Sequence, residues 1–511
     1  MISLIIILTT VLVLGSHHKA EAKIDFTVDL GYSKYTGVSA ADNETAKWLG
    51  IRYAAPPVGN LRFRAPQAPL VNESIQLADT FRESCLPTPS NGQPGSSEDC
   101  LFLNVFAPID DSKKHPVYVY LQGGGFVSNS APNLDGTSLI AAGDHDMVFV
   151  NFNYRVGAWG FLASKEIQAN GDLNAGILDQ RFALQWVQKY IHLFGGDPTQ
   201  VTIGGCSAGG ASVTLHLSAY GGRNDGLFIR AAAESQSFGT QYTVAEAQYQ
   251  YDGLVARVGC NTSHDTLQCL RDIDTAVIAQ DKANMLTPGG GGGVPVFAYS
   301  DVIDGTLIQD YTAVTNDGTV FTPTNINNYT DVDNFLKNNF PKLVTSQLAE
   351  INHLYPQAQT FPNSGPYWRT TANAYGDMRY MCPGIWLSTI YDSRNAQGWN
   401  YHWDVAPQSN LNSGLGVTHC DQSNSILGIA TAQPEAGLNP IIQAYWASFI
   451  RSGDPNKFKL KSAPTWTKLD RVGLQRIHFV NNPSQVAVES VPAHYYLRCN
   501  YLTDIAGSLG Q

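Results

Sequence analysis

Three short runs, residues 116–122, 147–153 and 201–205, are apolar, β-branched and aromatic, and each is bounded by Gly, Pro or Asp. Apolarity that does not alternate predicts strands buried on both faces. Between the last two, Leu184, Val187, Ile191 and Phe194 recur at spacings of three and four and stop at Gly195-Gly196-Asp197-Pro198. That is the period of a helix followed by its stop signal. A later period, Ile442, Tyr445, Trp446 and Phe449, predicts another helix, ending at Gly453-Asp454-Pro455. Strands alternating with helices predict an α/β fold, a central mostly parallel sheet with helices on both faces. The glycines at 289–293 read as a loop with no phosphate-binding pattern.

The first apolar run, residues 2–14, precedes Ala20-Glu21-Ala22. It is too short to span a bilayer and ends in an A-x-A site, so residues 1–22 read as a signal peptide. No later stretch is apolar for long enough to span a membrane, and no linker divides residues 23–511, which are expected to form a single domain. Charged residues make up 15% and aromatics 11% of the chain, a composition that builds a large core. A net charge of −11 without a basic stripe argues against nucleic acid. Four sequons, at Asn43, Asn72, Asn261 and Asn328, agree with a secretory route. There the eight cysteines read as disulfides. No CxxC pair or HExxH occurs, so neither a metal nor a cofactor is expected.

The run 201–205 leads into Gly205-Cys206-Ser207-Ala208-Gly209, a G-x-S-x-G between a predicted strand and a helical stretch. Small residues are needed there because a tight, strained turn lifts the serine hydroxyl to the rim of the sheet. The helix that follows adds a favourable dipole for a developing anion. One strand upstream, Gln122-Gly123-Gly124-Gly125-Phe126 supplies glycines whose N–H groups can approach such an anion. Gly124, Gly125 and Ala208 are the expected donors.

Further stretches carry a family resemblance. They are Gly50-Ile51-Arg52-Tyr53-Ala54-Ala55-Pro56-Pro57-Val58-Gly59, Glu98-Asp99-Cys100-Leu101, Asn153-Tyr154-Arg155-Val156-Gly157, Asp179-Gln180-Arg181 and Gly453-Asp454-Pro455-Asn456. In this order, across nearly the whole chain, they resemble the type-B carboxylesterases, the family of secreted carboxylesterases, cholinesterases and related fungal lipases. The resemblance implies an α/β-hydrolase fold and a serine esterase needing no cofactor, acting on a small-molecule ester. It implies nothing about oligomeric state.

A serine nucleophile needs a base, and the base an orienting carboxylate. His419, in a loop flanked by Gly414 and Gly416, resembles the family's histidine loop, whereas His494, His402 and His353 lack that setting and read as structural or surface residues. Asp317, just before Gly318, resembles the position of the family's acid, where relatives commonly carry Glu. Relatives also place a longer connection, including a strand, before that acid; here only residues 311–316 separate Asp310 from Asp317. Either the loop is truncated or the sequence has lost a segment, and Asp304 and Asp310 stand as weaker alternatives. The resemblance further implies the bridges Cys85–Cys100, Cys260–Cys269 and Cys382–Cys499. Cys206 and Cys420 then remain, each adjoining a triad residue, and a Cys206–Cys420 bridge is expected. The same CS…D…HC arrangement occurs in tannases and in feruloyl esterases of another family, a likeness of pattern and not of descent.

The loop closed by Cys85 and Cys100 is the lid in lipases of this family. Here it is short and polar with no amphipathic helix pattern, which favours soluble, short-to-medium or aryl esters over bulk triglyceride. Lipase and feruloyl (cinnamoyl) esterase are the alternatives within the family. Two aromatic clusters, Tyr367-Trp368 and Tyr401-His402-Trp403, stand as core or as the wall of an acyl pocket. A noncatalytic binding protein on the same fold is the rival from another class. It would lack a triad residue, and this chain has all three.

Overall fold

The computed structural model describes residues 24–90, 94–110, 112–237, 239–281, 286–309, 319–393 and 397–511. The signal peptide expected over residues 1–22 lies outside them. Strands β1 (Val38–Ser39), β2 (Thr45–Arg52), β3 (Phe102–Pro108), β4 (His115–Leu121), β5 (Val148–Phe152), β6 (Gly196–Cys206) and β7 (Arg230–Glu234) form one sheet, in the order β7-β6-β4-β5-β3-β2-β1. The pairs β7–β6, β6–β4 and β4–β5 are parallel. Those joining β5, β3, β2 and β1 are antiparallel. The parallel half carries the candidate site.

Continuous apolarity marks the strands buried on both faces, as expected. Every residue of β5, and every residue of β4 except Pro116, is buried. Successive side chains of β4 serve opposite cores, because a strand alternates faces at every residue. Val117, Val119 and Leu121 share one core with Leu184 and Val187 of α1 (Ala175–Tyr190) and Val213 and Leu215 of α2 (Ala208–Gly222). Tyr118 and Tyr120 share the other with Ile426 of α3 (Asp421–Ile426) and Ile442 and Tyr445 of α4 (Glu435–Ser452). Both predicted helices stop at the expected glycines. Gly195 and Gly453 take φ of +80° and +75°, left-handed values that glycine adopts without a Cβ penalty.

A second sheet, β8 (Tyr401–Asp404), β9 (Gln475–Val480) and β10 (Ala487–Ser490), stands apart in the order β8-β9-β10. The unpaired edges of β7 and β8 both line a cavity of about 1220 Å³, which also reaches His419. Tyr401 and Trp403 pack in the aromatic core with Trp446, Trp466 and Phe479. Trp368 is buried and donates its indole N–H to the Thr322 carbonyl. Both aromatic clusters are therefore built mainly into the core, with Tyr401 and Trp403 also facing the cavity.

The disulfides Cys85–Cys100, Cys260–Cys269 and Cys382–Cys499 are formed. Within the loop closed by the first, the described residues form no helix. They are tied down to the body: Ala158 N–H donates to Thr88 Oγ1, and Ser90 N–H to the Ala279 carbonyl. Asn43, Asn72, Asn261 and Asn328 are all exposed.

Candidate active site

Ser207 sits where β6 turns into α2, with φ +61° and ψ −124°, far from the backbone an L-residue prefers. The surroundings hold it there. Its N–H donates to the carbonyls of Glu234 and Ser235, both at 3.1 Å, while its carbonyl accepts from Ser237 N–H and Ala211 N–H. The flanking glycines are set by close backbone approach: a Cβ on Gly205 or Gly209 would lie 2.2 or 2.0 Å from the Leu121 carbonyl oxygen of β4. The turn can therefore nest against the neighbouring strand only with glycine on either side.

The glycine loop after β4 closes on the same point. A Cβ on Gly123 would meet the Ser207 Cβ at 2.8 Å, so this loop touches the serine directly. Gly124 and Gly125 have φ of +117° and +62°. A Cβ on them would strike the Ser128 carbonyl and the Phe297 ring, respectively. No hydrogen bond to another described residue occupies the N–H of Gly124, Gly125 or Ala208. Free backbone donors beside a strained serine are what stabilisation of an oxyanion requires.

His419 reaches the site through its neighbour. Cys420 is left-handed at φ +66° and is bonded to Cys206, with Cα atoms 6.2 Å apart. The loop is braced by Asp421, whose carboxylate accepts from the N–H and hydroxyl of Thr418. Rings of Tyr380 and Phe321 enclose the imidazole at 5.1 and 5.2 Å. Among the described residues neither ring nitrogen has a hydrogen-bond partner. Burial, and then the Arg379 guanidinium, push its pKa down to about 3, so the ring is neutral at ordinary pH, the form a general base requires. An orienting carboxylate would act in the opposite sense. Asp317 and Asp310 lie outside the described residues. Asp304 is not brought to His419; its carboxylate accepts from Asn174, Thr306 N–H and Ile308 N–H.

Several groups at the site carry no sequence motif. Glu234 is wholly buried, accepting from Tyr118 and Ser423. Arg379 is 4% exposed, donates to Ser237 Oγ and lies over the Phe297 ring. Their only sequence signal is position, Glu234 ending an alanine-rich run and Arg379 preceding Tyr380-Met381-Cys382. Of the other histidines, His402 stacks on His478, and with Glu489 they form a group of potential metal ligands within 4.8 Å. Arg476 and both imidazoles already engage that carboxylate.

A mixed sheet whose parallel half carries the site, a strained serine between strand and helix, and a glycine loop beside it define an α/β-hydrolase. The chain belongs to the carboxylesterase family, whose profile matches residues 27–492. It is 32% identical to Secreted lipase 4 of Gibberella zeae over 90% of each chain. It is 28% identical to the acetylcholinesterase of Bungarus fasciatus, covering 83% of this chain and 78% of that one. Against the para-nitrobenzyl esterase of Bacillus subtilis the identity is 27%, over 83% and 89%. The crystal structure of Aspergillus niger EstA superposes with a TM-score of 0.90 at 37% identity, covering 96% of this chain and 99% of that one. The protein is a carboxylic ester hydrolase. Among the described residues no helix is long and apolar enough to cross a membrane.

Two predictions follow from the geometry. Cys206 and Cys420 are 214 residues apart, and chain entropy for so long a loop gives up to about 5 kcal/mol of stabilisation. The C206A/C420A variant should melt at lower temperature and lose kcat more than KM, as read by thermal denaturation and initial rates. The second concerns Glu234, whose pKa burial raises from 4.5 to about 7. An acid with a raised folded pKa contributes stability that is full below pH 4.5 and lost as pH rises through 7, about 3 kcal/mol in all. E234Q removes this dependence, so its melting temperature relative to wild type should be higher at pH 8 than at pH 5.

Proposed function

We propose that the protein is a secreted serine esterase acting on soluble, short-to-medium chain or aryl esters. The observation that carries this reading is the strained Ser207 turn, bonded through Cys206 to the loop of His419. Ser207 Oγ attacks the ester carbonyl while His419 takes its proton. The N–H groups of Gly124, Gly125 and Ala208 hold the oxyanion. The acyl–oxygen bond of the substrate then breaks, and His419 returns the proton to the departing alcohol. Water, deprotonated by the same imidazole, releases the acid and restores the serine. Asp317 orients the imidazole and stabilises its protonated form, offsetting the field of Arg379.

The secretory route is supported by four disulfides, four exposed sequons and a relative named as a secreted lipase. That relative's name favours a second reading, a lipase. The loop closed by Cys85 and Cys100 weighs against it, because among its described residues no amphipathic helix offers an apolar face to a lipid surface.

S207A should abolish both p-nitrophenyl ester hydrolysis and labelling by a fluorophosphonate; persistence of either sinks the assignment. A panel of p-nitrophenyl esters should show highest kcat/KM at short to medium chains. A rate jump at the solubility limit of a triglyceride would overturn the choice of soluble esters and favour the lipase. D317N should lower kcat by about 10³ to 10⁴, and undiminished activity would remove Asp317 from the triad.

A further inference from the structure

We propose that Glu234 is a positioning residue for the Ser207–His419 pair, seating the helix after His419 on the strand that also holds the nucleophile's amide. The inference rests on the serine-esterase reading above and names a residue outside the triad and the oxyanion loop.

Helix α3 begins one residue after Cys420 and is attached to the sheet at three points. Cys420 is bonded to Cys206, the last residue of β6. Ser423 donates its hydroxyl to Glu234 Oε2 at 2.8 Å, and Gln422 donates its amide to Ser235 Oγ. Cys206 and Glu234 are register partners in the parallel pairing of β6 with β7, so the attachments fall on neighbouring strands at one level. One covalent point leaves a short helix free to pivot about it; the two further side-chain attachments restrict that pivot. The direction of the His419 ring follows from the orientation of the helix. Glu234 contributes twice, since its backbone carbonyl accepts the N–H of Ser207 while its side chain holds α3.

A carboxyl group here is costly to bury, and its contacts account for its use. Its second oxygen accepts from Tyr118 of β4 at 3.2 Å, so one side chain joins α3, β7 and β4. The titratable groups facing it are Tyr118 and Tyr120 from β4 and Tyr401 from β8, each pushed up by burial, and the polar groups Ser423 and Trp446 are uncharged. Among the described residues no cation partners it, and the hydroxyls of Tyr118 and Ser423 hold the carboxyl in place. The placement also explains why a bridge alone is insufficient: Cys206–Cys420 sets a distance, and Glu234 with Ser235 sets the angle.

The test is a double-mutant cycle on the secreted enzyme with its disulfides intact. E234A and S423A should each lower kcat, and the rate constant of fluorophosphonate labelling, by about tenfold with KM within about twofold. The pair together should cost no more than E234A alone, because both remove one link. E234Q, which keeps an acceptor for Ser423 and offers an amide to the Tyr118 oxygen, should recover most of the rate. A generally structural role would instead lower thermal stability and KM fitness together and leave the labelling constant of the folded fraction unchanged. Losses that multiply to about a hundredfold, or a folded E234A with wild-type kcat, overturn the proposal. If E234A does not fold, S423A decides alone: an unchanged labelling constant overturns it. Hydrolysis surviving in S207A would instead defeat the esterase assignment on which it rests.

Discussion

The separation of two backbone segments, the turn at Ser207 and the loop at His419, is the constraint on which the rest of the site depends. They lie more than two hundred residues apart in the chain and share no secondary-structure pairing. A covalent bond between Cys206 and Cys420 holds them, and polar contacts from Gln422 and Ser423 hold them again. Proton transfer between a serine and an imidazole falls off steeply with misplacement, so a fold that uses this pair has to remove the freedom of both loops beforehand. The same logic explains the glycines. Those at 123, 205 and 209 are places where one backbone lies against another with no room for a Cβ.

Electrostatics at the site are governed by the burial of its polar groups. His419 is half-buried, its ring nitrogens shielded beside Tyr380 and Phe321 with Arg379 nearby, and its pKa is held down to about 3. The neutral ring is the right form for taking a proton and the wrong one for keeping it. A carboxylate at the ring is therefore needed by the environment as well as by the family pattern. The pKa of Glu234 is raised to about 7 by its own complete burial, and the carboxyl is held by the hydroxyls of Tyr118 and Ser423.

Two sheets share the work of the fold unequally. The parallel half of the seven-stranded sheet, β4 to β7, supplies the serine, the glycine loop and Glu234 at strand ends, where open α/β sheets build their sites. The smaller sheet of β8, β9 and β10 contributes aromatic bulk, and its His402, His478 and Arg476 all engage the Glu489 carboxylate. The cavity lined by β7 and β8 also reaches His419.

Much of this was legible in the chain because it is local. The buried strands over 116–122 and 147–153 lie within one residue of their observed ends, since continuous apolarity over five to seven residues has few other solutions. The strand predicted over 201–205 extends back to Gly196, which reads locally as part of a turn but pairs with His115 of β4, with a register shift between Gly196 and Val201. Ser207, the glycine loop and the ends of α1 and α4 are written in short motifs whose meaning is steric. The reach of the cysteines was legible as a pattern, with each partner beside a residue of the pair they join. What the sequence could not contain is the convergence at one level of β6 and β7: Glu234, Ser423 and Arg379 carry no motif, and their roles arise only when distant segments close on one another, Ser423 on Glu234 across 189 residues and Arg379 on Ser237 across 142. Local chemistry therefore determined which residues could react. Long-range packing alone decided which buried groups hold them, because burial and hydrogen-bond partners belong to the assembled fold and to no stretch of chain by itself.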